Sequence, residues 1–265
     1  MRIIPRIGLG VWQIPDGEIV RNAVRWALEA GYRHIDTAMI YRNEKGVGEG
    51  IKAGNVPREE MFVTTKLWIS DQGYDSALKA IRASLERLQL DYVDLYLVHW
   101  PFADEEKTQE KRADTWRGME EIQRLGLARL IGVSNYTETH LEEMRSYAKV
   151  MPTVNQVEMH PFLYQKALAE YFATNGIQIE AYSPLAHGEK LNDKTVSKIA
   201  KKYGKSNAQI LTRWALEHGF VVLPKSTHKE RIEENFDVLD SKLETEDMKT
   251  LDNLNENFRT CWDPY

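Results

Sequence analysis

Cysteine is almost absent from this sequence, since Cys261 is the single one among 265 residues. An internal disulfide framework is therefore excluded, and a reducing compartment is favoured. Long apolar runs are also missing, because none approaches the roughly 20 residues that a membrane-spanning helix needs. The first residues, 1–6, lack the apolar core of a secretory signal. We therefore expect a cytoplasmic protein that has no membrane partner.

Blocks of one charge are missing as well. The formal net charge is −5, from 35 basic and 40 acidic residues, and Lys and Arg are not clustered. Proteins that bind nucleic acid usually present a basic patch, so we predict no nucleic-acid partner. Hydrophobic residues make up 42% of the chain and charged residues 28%, which is typical of a globular domain. No low-complexity linker divides the sequence, so we predict a single domain over residues 1–265.

Short apolar runs that have the character of buried strands alternate with helical patterns. The predicted strands are 33–37, 62–66, 94–99, 129–134, 153–158, 177–182, 220–224 and, more weakly, 236–239. The predicted helices are 17–30, 72–89, 114–125, 137–147, 165–174, 192–203, 206–217 and 229–235. The runs are rich in Val, Ile and Leu and mostly continuous, as in a parallel sheet that is covered on both faces.

This alternation predicts an α/β fold, a single-domain (β/α)8 TIM barrel. An open doubly wound sheet is the alternative, but no predicted strand is followed by a GxGxxG turn. The glycines of segment 46–50 begin inside a helical pattern and make a poor phosphate loop. Asp16 is expected to cap the first helix, and Gly31 is expected to end it.

Three successive predicted strands end in an ionisable side chain, namely Asp36, Lys66 and His99, and Tyr41 follows the first of them. Ionisable groups are costly in a core. The C-terminal ends of barrel strands are, however, where the chemistry of this fold collects. The pattern therefore indicates an active site.

The four residue types suit protonation of an oxygen that becomes anionic. A phenol is a poor acid at neutral pH, but an ammonium group near Tyr41 would lower its pKa. Lys66 can supply that ammonium, Asp36 can hold it, and His99 can orient a polar group or relay a proton. The alternative is structural: a buried ion pair of Asp36 and Lys66, a loop tyrosine and a core histidine.

Metal and thiol chemistry are poorly supported. The seven histidines form no HxH or HExxH arrangement, and only His99 and His160 closely follow predicted strands. Cys261 has no nearby histidine in the sequence. We therefore predict no metal site and no thiol nucleophile.

Motifs around the four residues occur in a specific order along nearly the whole chain. They are Gly8-Leu9-Gly10-Val11-Trp12, Gly31-Tyr32-Arg33-His34-Ile35-Asp36-Thr37-Ala38, Tyr41 with Asn43-Glu44, Thr65-Lys66-Leu67-Trp68, 91–101, 131–135, 155–158, 182–185 and 224–226. In this order and spacing the sequence resembles the aldo-keto reductases. The resemblance implies a (β/α)8 barrel that binds a nicotinamide cofactor without a Rossmann fold.

For the reaction, the resemblance implies reduction of aldehydes or ketones to alcohols. Tyr41 would be the general acid, Lys66 and Asp36 would tune it, and His99 would position the carbonyl. Two alternatives use the same residues: oxidation of a sugar or polyol, and a catalytically silent NADP-binding regulatory subunit. The resemblance also implies a monomer.

The resemblance also implies cofactor contacts. Ser134, Asn135 and Gln156 would hold the nicotinamide carboxamide, and Tyr182 would stack on its ring. Ser183 and Leu185 would lie in the loop over the pyrophosphate. The adenosine end would contact Lys225, Ser226, Thr227 and Arg231 at a 2′-phosphate and Glu234 and Asn235 at the adenine.

Elementary physics supports the adenosine end, because helix N-termini favour anions and arginine matches phosphate geometry. Together with the resemblance, this makes NADPH the expected cofactor and NADH the alternative. A solvated basic surface is the other interpretation of this segment. For the substrate pocket, the resemblance implies aromatic walls from Trp12, Trp68, Trp100 and Trp262, which would favour apolar or aromatic carbonyl substrates.

Overall fold

In a computed structural model, the chain is described over residues 3–102 and 108–263. Within these ranges there are eight strands: β1 Leu9–Gly10, β2 His34–Asp36, β3 Phe62–Leu67, β4 Val93–Val98, β5 Ala128–Ser134, β6 Val154–Glu158, β7 Gln178–Tyr182 and β8 Val221–Leu223. The same ranges contain ten α-helices: α1 Glu18–Ala30, α2 Glu44–Ala53, α3 Tyr74–Leu88, α4 Gln109–Arg124, α5 Glu138–Met144, α6 Lys166–Thr174, α7 Lys194–Tyr203, α8 Asn207–Glu217, α9 Lys229–Phe236 and α10 Thr245–Asp252.

The strands form one parallel sheet in chain order from β1 to β8. The sheet closes on itself where the segment of β1 meets β8. The Gly8 N–H donates to Val222 O at 2.9 Å, and the Gly10 N–H donates to Pro224 O at 3.0 Å. Ile7 also pairs with Val222 in a parallel bridge. The predicted (β/α)8 barrel is therefore confirmed.

The predicted strand at 236–239 is wrong, and the missing strand is β1. Phe236 is the last residue of α9, and its ring packs on Tyr32 at a centroid distance of 4.6 Å. The Phe236 ring therefore fills the space at the end of α1, whereas Leu239 is exposed. β1 has only two residues and contains a glycine, so its strand pattern is too short and weak to recognise. A Cβ on Gly8 would lie 2.8 Å from the His34 side chain, which explains the glycine there.

Several helices differ from the prediction at their ends. Asp16 does not cap α1, because Gly17 occupies that position and Asp16 Oδ1 instead accepts from the Gly46 N–H at 2.8 Å. α4 begins at Gln109, earlier than predicted, because Thr108 caps it. α10 was not predicted. Among the described residues, no helix combines the length and apolar character needed to cross a bilayer.

The alternation of side chains along the strands positions the site. Lys66 and Phe62 share one face of β3, and His99 continues the same face of β4 that carries Leu95 and Leu97. Phe62, Leu95, Leu97 and Val154 form a buried apolar cluster of their own. The barrel interior therefore contains an apolar cluster, with His34 beside it at the start of β2, and ionisable groups at the strand ends. A larger apolar core lies between the strands and the helices.

Candidate active site

The four predicted catalytic residues converge at the strand ends. Lys66 Nζ donates to Asp36 Oδ1 at 2.6 Å, to Thr37 O at 2.9 Å and to the Tyr41 hydroxyl at 3.4 Å. Lys66 is fully buried and Asp36 nearly so. The Tyr41 ring lies edge-on to the His99 ring at a centroid distance of 5.7 Å. The arrangement therefore joins a phenol, an ammonium and a carboxylate beside an imidazole.

The electrostatics of Tyr41 differ from the prediction. Burial raises the pKa of Tyr41 to about 12, and the nearby Lys66 ammonium only partly offsets that rise. The predicted lowering by Lys66 is therefore present, but burial outweighs it and the pKa of Tyr41 rises. Burial also opposes the charge of Lys66, but the Asp36 carboxylate outweighs it and raises the pKa of Lys66 above its usual value. Tyr41 thus keeps its proton, and Lys66 keeps its charge.

His99 is neutral in this environment. Burial holds its pKa well below the ordinary value, and the charge of Lys66 acts in the same direction. Among the described residues its buried Nδ1 atom has no hydrogen-bond partner. The neutral imidazole lines the cavity beside Tyr41.

Two polar side chains support the ion pair: Gln156, which the sequence predicts for the cofactor site, and Glu180, which sequence reasoning missed. Gln156 Nε2 donates to Asp36 Oδ2 at 2.8 Å and to Glu180 Oε2 at 2.9 Å. Burial raises the pKa of Glu180 to about 8, and the charge of Asp36 adds to the effect. Glu180 therefore carries a proton at neutral pH. The sequence does contain a signal for this residue, because Glu180 is an acid inside the largely apolar predicted strand 177–182.

His34, Asp36 and Glu180 also place ligand atoms within 4.8 Å of one another, the spacing of a metal site. Asp36, however, is already bound by Lys66 and by Gln156. An additional cation would have to lie beside the buried Lys66 ammonium, which repels it. This cluster is therefore better explained as support for the ion pair of Asp36 and Lys66 than as a metal site.

The site opens into a cavity of about 1140 Å³. Nearly all the residues predicted for catalysis, cofactor and substrate line it: Trp12, Asp36, Tyr41, Trp68, His99, Trp100, Asn135, Gln156, Tyr182, Ser183, Leu185, Lys225, Ser226, Thr227, Arg231, Glu234, Asn235 and Trp262. Lys66 does not line the cavity, but its Nζ atom contacts the hydroxyl of Tyr41, which does. Ser134 does not line the cavity either, and it accepts from Asn135 Nδ2 at 3.1 Å.

One end of the cavity carries amide and hydroxyl groups. The Tyr182 hydroxyl donates to Asn135 Oδ1 at 2.9 Å, and Asn135 Nδ2 donates to His99 O at 3.0 Å. Asn135 has a φ of 62°, a left-handed conformation that asparagine tolerates better than most residues. These bonds orient the Tyr182 ring along the wall beside His99. Such a surface fits a flat ring that bears a carboxamide.

The other end of the cavity carries cations. Lys225 follows β8, and Arg231 lies in the first turns of α9, whose N-terminal residue is Lys229. The Ser226 hydroxyl accepts from the His228 N–H at 3.1 Å and so shapes the turn into the helix. The positive end of a helix and two cationic side chains suit a phosphate. The two ends together fit a nicotinamide dinucleotide that carries an adenosine phosphate.

Four tryptophans line the cavity, as predicted, but they form two groups. Trp262 lies 5.4 Å from Trp100 and 6.1 Å from Trp68 between ring centroids, and Trp68 packs edge-on to His99 at 5.1 Å. Trp12 is separate and contacts His187 at 5.1 Å. His187 was not predicted, and it also bonds the Ser183 hydroxyl at 2.9 Å. The aromatic wall beside His99 is therefore built by Trp68, Trp100 and Trp262.

Comparison with known proteins agrees with this geometry. A family model described as "Aldo/keto reductase family" matches residues 6–256. A 9,11-endoperoxide prostaglandin H2 reductase of Trypanosoma cruzi is 50% identical over 264 residues, which cover 98% of this chain and 91% of the relative. A glyoxal reductase of Bacillus subtilis is 49% identical over 261 residues, with 98% and 92% covered.

Solved structures show the same similarity. An aldo-keto reductase from a Medee basin deep-sea metagenome library superposes with a TM-score of 0.94 at 46% identity, covering 99% of this chain and 95% of that one. An aldo-keto reductase of Bombyx mori in complex with NADP superposes with a TM-score of 0.89 at 40% identity, covering 97% and 91%.

Proposed function

Since the chain belongs to the aldo/keto reductase family and is an NAD(P)-dependent oxidoreductase, we propose that it reduces small aldehydes and ketones to alcohols with NADPH. The observation that carries this proposal is the contact of Lys66 with both Asp36 and Tyr41 at the cavity wall. The set provides one transferable proton and a fixed positive charge beside it. Carbonyl reduction needs both, because the carbonyl oxygen becomes an alkoxide.

Each side chain has a separate role in this reaction. The Tyr41 hydroxyl gives its proton to the carbonyl oxygen. The Lys66 ammonium then stabilises the phenolate that Tyr41 becomes, and Asp36 keeps the ammonium charged and in place. The neutral His99 imidazole orients the carbonyl by a hydrogen bond.

The cofactor supplies the hydride. Asn135, Gln156 and Ser134 would hold its carboxamide, and Tyr182 would stack on its ring. Ser183 and Leu185 would cover the pyrophosphate. Lys225, Ser226, Thr227 and Arg231 would bind the 2′-phosphate, with Glu234 and Asn235 at the adenine. The cations at that end favour NADPH over NADH.

For the substrate, we propose small dicarbonyl compounds such as glyoxal and also aromatic aldehydes. The glyoxal reductase of Bacillus subtilis, at 49% identity, supports the first class. The aromatic wall beside His99 supports the second. We further propose a cytoplasmic location, which the single cysteine supports, and a monomer, which is the expectation for the family.

The test measures loss of reduced-nicotinamide absorbance with NADPH and a panel of glyoxal, methylglyoxal and 4-nitrobenzaldehyde. Tyr41→Phe should lower kcat by about 100-fold or more and leave the Kd for NADPH unchanged. Tyr92→Phe is the matched control, because Tyr92 immediately precedes β4 at the opposite end of the barrel. Reduction by Tyr41→Phe at the wild-type rate would remove Tyr41 from its role.

The panel also separates the alternatives. Tight NADPH binding by the wild-type protein without turnover of any carbonyl compound would favour a silent regulatory subunit. Faster oxidation of a sugar alcohol with NADP⁺ than reduction of every carbonyl compound would favour a polyol dehydrogenase. The first result would overturn the proposed enzymatic activity, and the second would overturn the proposed direction of the reaction.

A further inference from the structure

The end of the described chain crosses the open end of the barrel. Beyond α10, the backbone N–H groups of Glu256 and Phe258 donate to Phe162 O at 3.2 and 2.9 Å. The chain then passes the end of β6 and brings Trp262 against Trp100. This segment, 255–263, is called the tail here. Its path joins the β6 side of the barrel to the aromatic wall of the substrate cavity.

A single carboxylate binds the tail just before Trp262. Glu158, the last residue of β6, accepts from the Thr260 N–H at 2.8 Å and from the Thr260 hydroxyl at 2.5 Å through Oε1. Its Oε2 accepts from the Cys261 N–H at 3.1 Å. His160 Nε2 supplies the fourth bond, at 3.2 Å. Three of these four bonds therefore come from two consecutive residues of the tail.

The environment of Glu158 makes these bonds strong. Glu158 and His160 are both fully buried. Burial disfavours the charged form of Glu158, but the hydrogen bonds from His160 and Thr260 outweigh it and hold the pKa of the carboxyl below its usual value. A buried carboxylate without its donors is costly, so the carboxylate and the tail stabilise each other.

Trp262 itself is held only loosely by its own contacts. Its side chain is 58% exposed, and its ring centroid is 5.4 Å from Trp100 and 6.1 Å from Trp68. The backbone that precedes it is, by contrast, fixed by Glu158. The bonds of Thr260 and Cys261 to Glu158 therefore fix the position of the Trp262 ring in the cavity wall.

We propose that Glu158 is a specificity-positioning residue, whose carboxylate holds Thr260 and Cys261 so that Trp262 forms one wall of the substrate pocket. The proposal rests on the proposed carbonyl reduction and adds a residue that does not touch the reacting atoms. An aromatic aldehyde would lie against the wall that Trp100 and Trp262 form together, so its binding depends on that wall. Glyoxal is too small to reach it.

The main test compares Glu158→Gln with Glu256→Gln, the same chemical change made in the tail itself. Glu256 is half exposed and pairs with Lys190, away from the cavity. Glu158→Gln should raise the KM for 4-nitrobenzaldehyde by about 5- to 10-fold, because one or two charge-assisted bonds are lost. Its kcat, its KM for glyoxal and its Kd for NADPH should each change by less than about 2-fold. Glu256→Gln should resemble wild type.

A double-mutant cycle asks whether Glu158 acts through Trp262. Trp262→Ala should raise the KM for 4-nitrobenzaldehyde, and adding Glu158→Gln should raise it by less than about 2-fold more. If the two effects on KM multiply, Glu158 does not act through Trp262 and the proposal is wrong. Equal KM values for wild type and Glu158→Gln would also overturn it.

A second pair of variants covers the case in which Glu158→Gln does not fold. Thr260→Val removes the hydroxyl donor on the tail, and Thr260→Ser keeps it. Thr260→Val should raise the KM for 4-nitrobenzaldehyde, and Thr260→Ser should have the wild-type KM. Equal KM values for Thr260→Val and wild type would contradict the proposal. Failure of the proposed function can be told apart from failure of the role of Glu158, because the wild-type protein would then reduce no carbonyl compound.

Discussion

Gln156 Nε2 lies 2.8 Å from Asp36 Oδ2 and donates to it. A side chain that is proposed to bind the cofactor thus contacts the carboxylate that holds Lys66. The same amide nitrogen donates to Glu180 at 2.9 Å, so it bridges two buried acids. The proposed cofactor site and the ion pair of Asp36 and Lys66 are therefore parts of one hydrogen-bond network, and changes in one should be measurable in the other.

Asp36→Asn should be strongly destabilising. The change leaves the fully buried Lys66 ammonium without its anionic partner. Loss of one member of a buried pair costs about 3–5 kcal/mol, and the pKa of Lys66 should fall. Urea unfolding measures the cost, with the exposed Asp75→Asn as the control. Equal unfolding midpoints for wild type and Asp36→Asn would show that the ion pair does not stabilise the fold.

Glu180→Gln should change how stability depends on pH. The folded protein raises the pKa of Glu180 to about 8 from an ordinary 4.5, so between these values the folded state holds a proton that the unfolded chain has lost. The wild type should therefore lose stability as pH rises from about 5 to 8, by a few kcal/mol in total. The variant cannot ionise, so its free energy of unfolding relative to wild type should increase over that range.

Asp36, Lys66 and His34 are the charged or titratable groups beside Glu180, and the variant leaves all three unchanged. Chemical unfolding at pH 5, 6.5 and 8 measures the difference, and the exposed Glu170→Gln is the control. A difference that stays constant with pH would mean that Glu180 is ionised in the folded protein.

Arg231→Ala should weaken NADPH binding selectively. Arg231 lines the cationic end of the cavity at the start of α9. Loss of a charge-assisted contact to a phosphate should raise the KM for NADPH by about 10-fold or more. The KM for NADH, which lacks that phosphate, should stay within about 2-fold. Lys229→Ala, which removes an exposed cation of the same helix, is the control, and equal losses with both cofactors would exclude a 2′-phosphate role.

Asn43→Ala should destabilise the protein although Asn43 lies outside the cavity. Its Nδ2 donates to Val11 O and Ile14 O, both at 2.9 Å, and its Oδ1 accepts from the Thr37 hydroxyl at 2.9 Å. Removing the side chain leaves buried polar groups without partners, which costs about 2–4 kcal/mol in total. Thermal unfolding checks this, with the exposed Asn253→Ala as the control. A shift no larger than that of the control would contradict the prediction.

The barrel and the convergence of Asp36, Tyr41, Lys66 and His99 at the strand ends could be predicted from the sequence because both follow from local patterns. Apolar runs at regular spacing indicate strands, and an ionisable residue at a strand end is easily seen at Asp36, Lys66 and His99. β1 was missed because two residues carry no periodicity. The segment 236–239 has the pattern of a strand, because a short apolar run does not show whether the surface it packs on belongs to strands or to helices.

The rest of the site depends on distant contacts. Glu158 and Glu180 each lie in a strand that was predicted, but their partners are Thr260 in the tail and Gln156 on a neighbouring strand. The pKa of Tyr41 was predicted to fall because Lys66 was expected nearby, and that proximity is correct. The degree of burial, which decides the direction of the pKa, is set by the whole barrel and cannot be found from the sequence pattern.

The closure of the barrel has a consequence for the order in which the chain folds. The bonds of Gly8 and Gly10 to Val222 and Pro224 join segments from opposite ends of the chain. β1 is made first during synthesis, yet half of its pairing must wait until β8 has been made. Contacts between such distant segments form slowly and late. Amide protons at Gly8 and Gly10 should therefore be among the last in the sheet to gain protection from exchange during refolding.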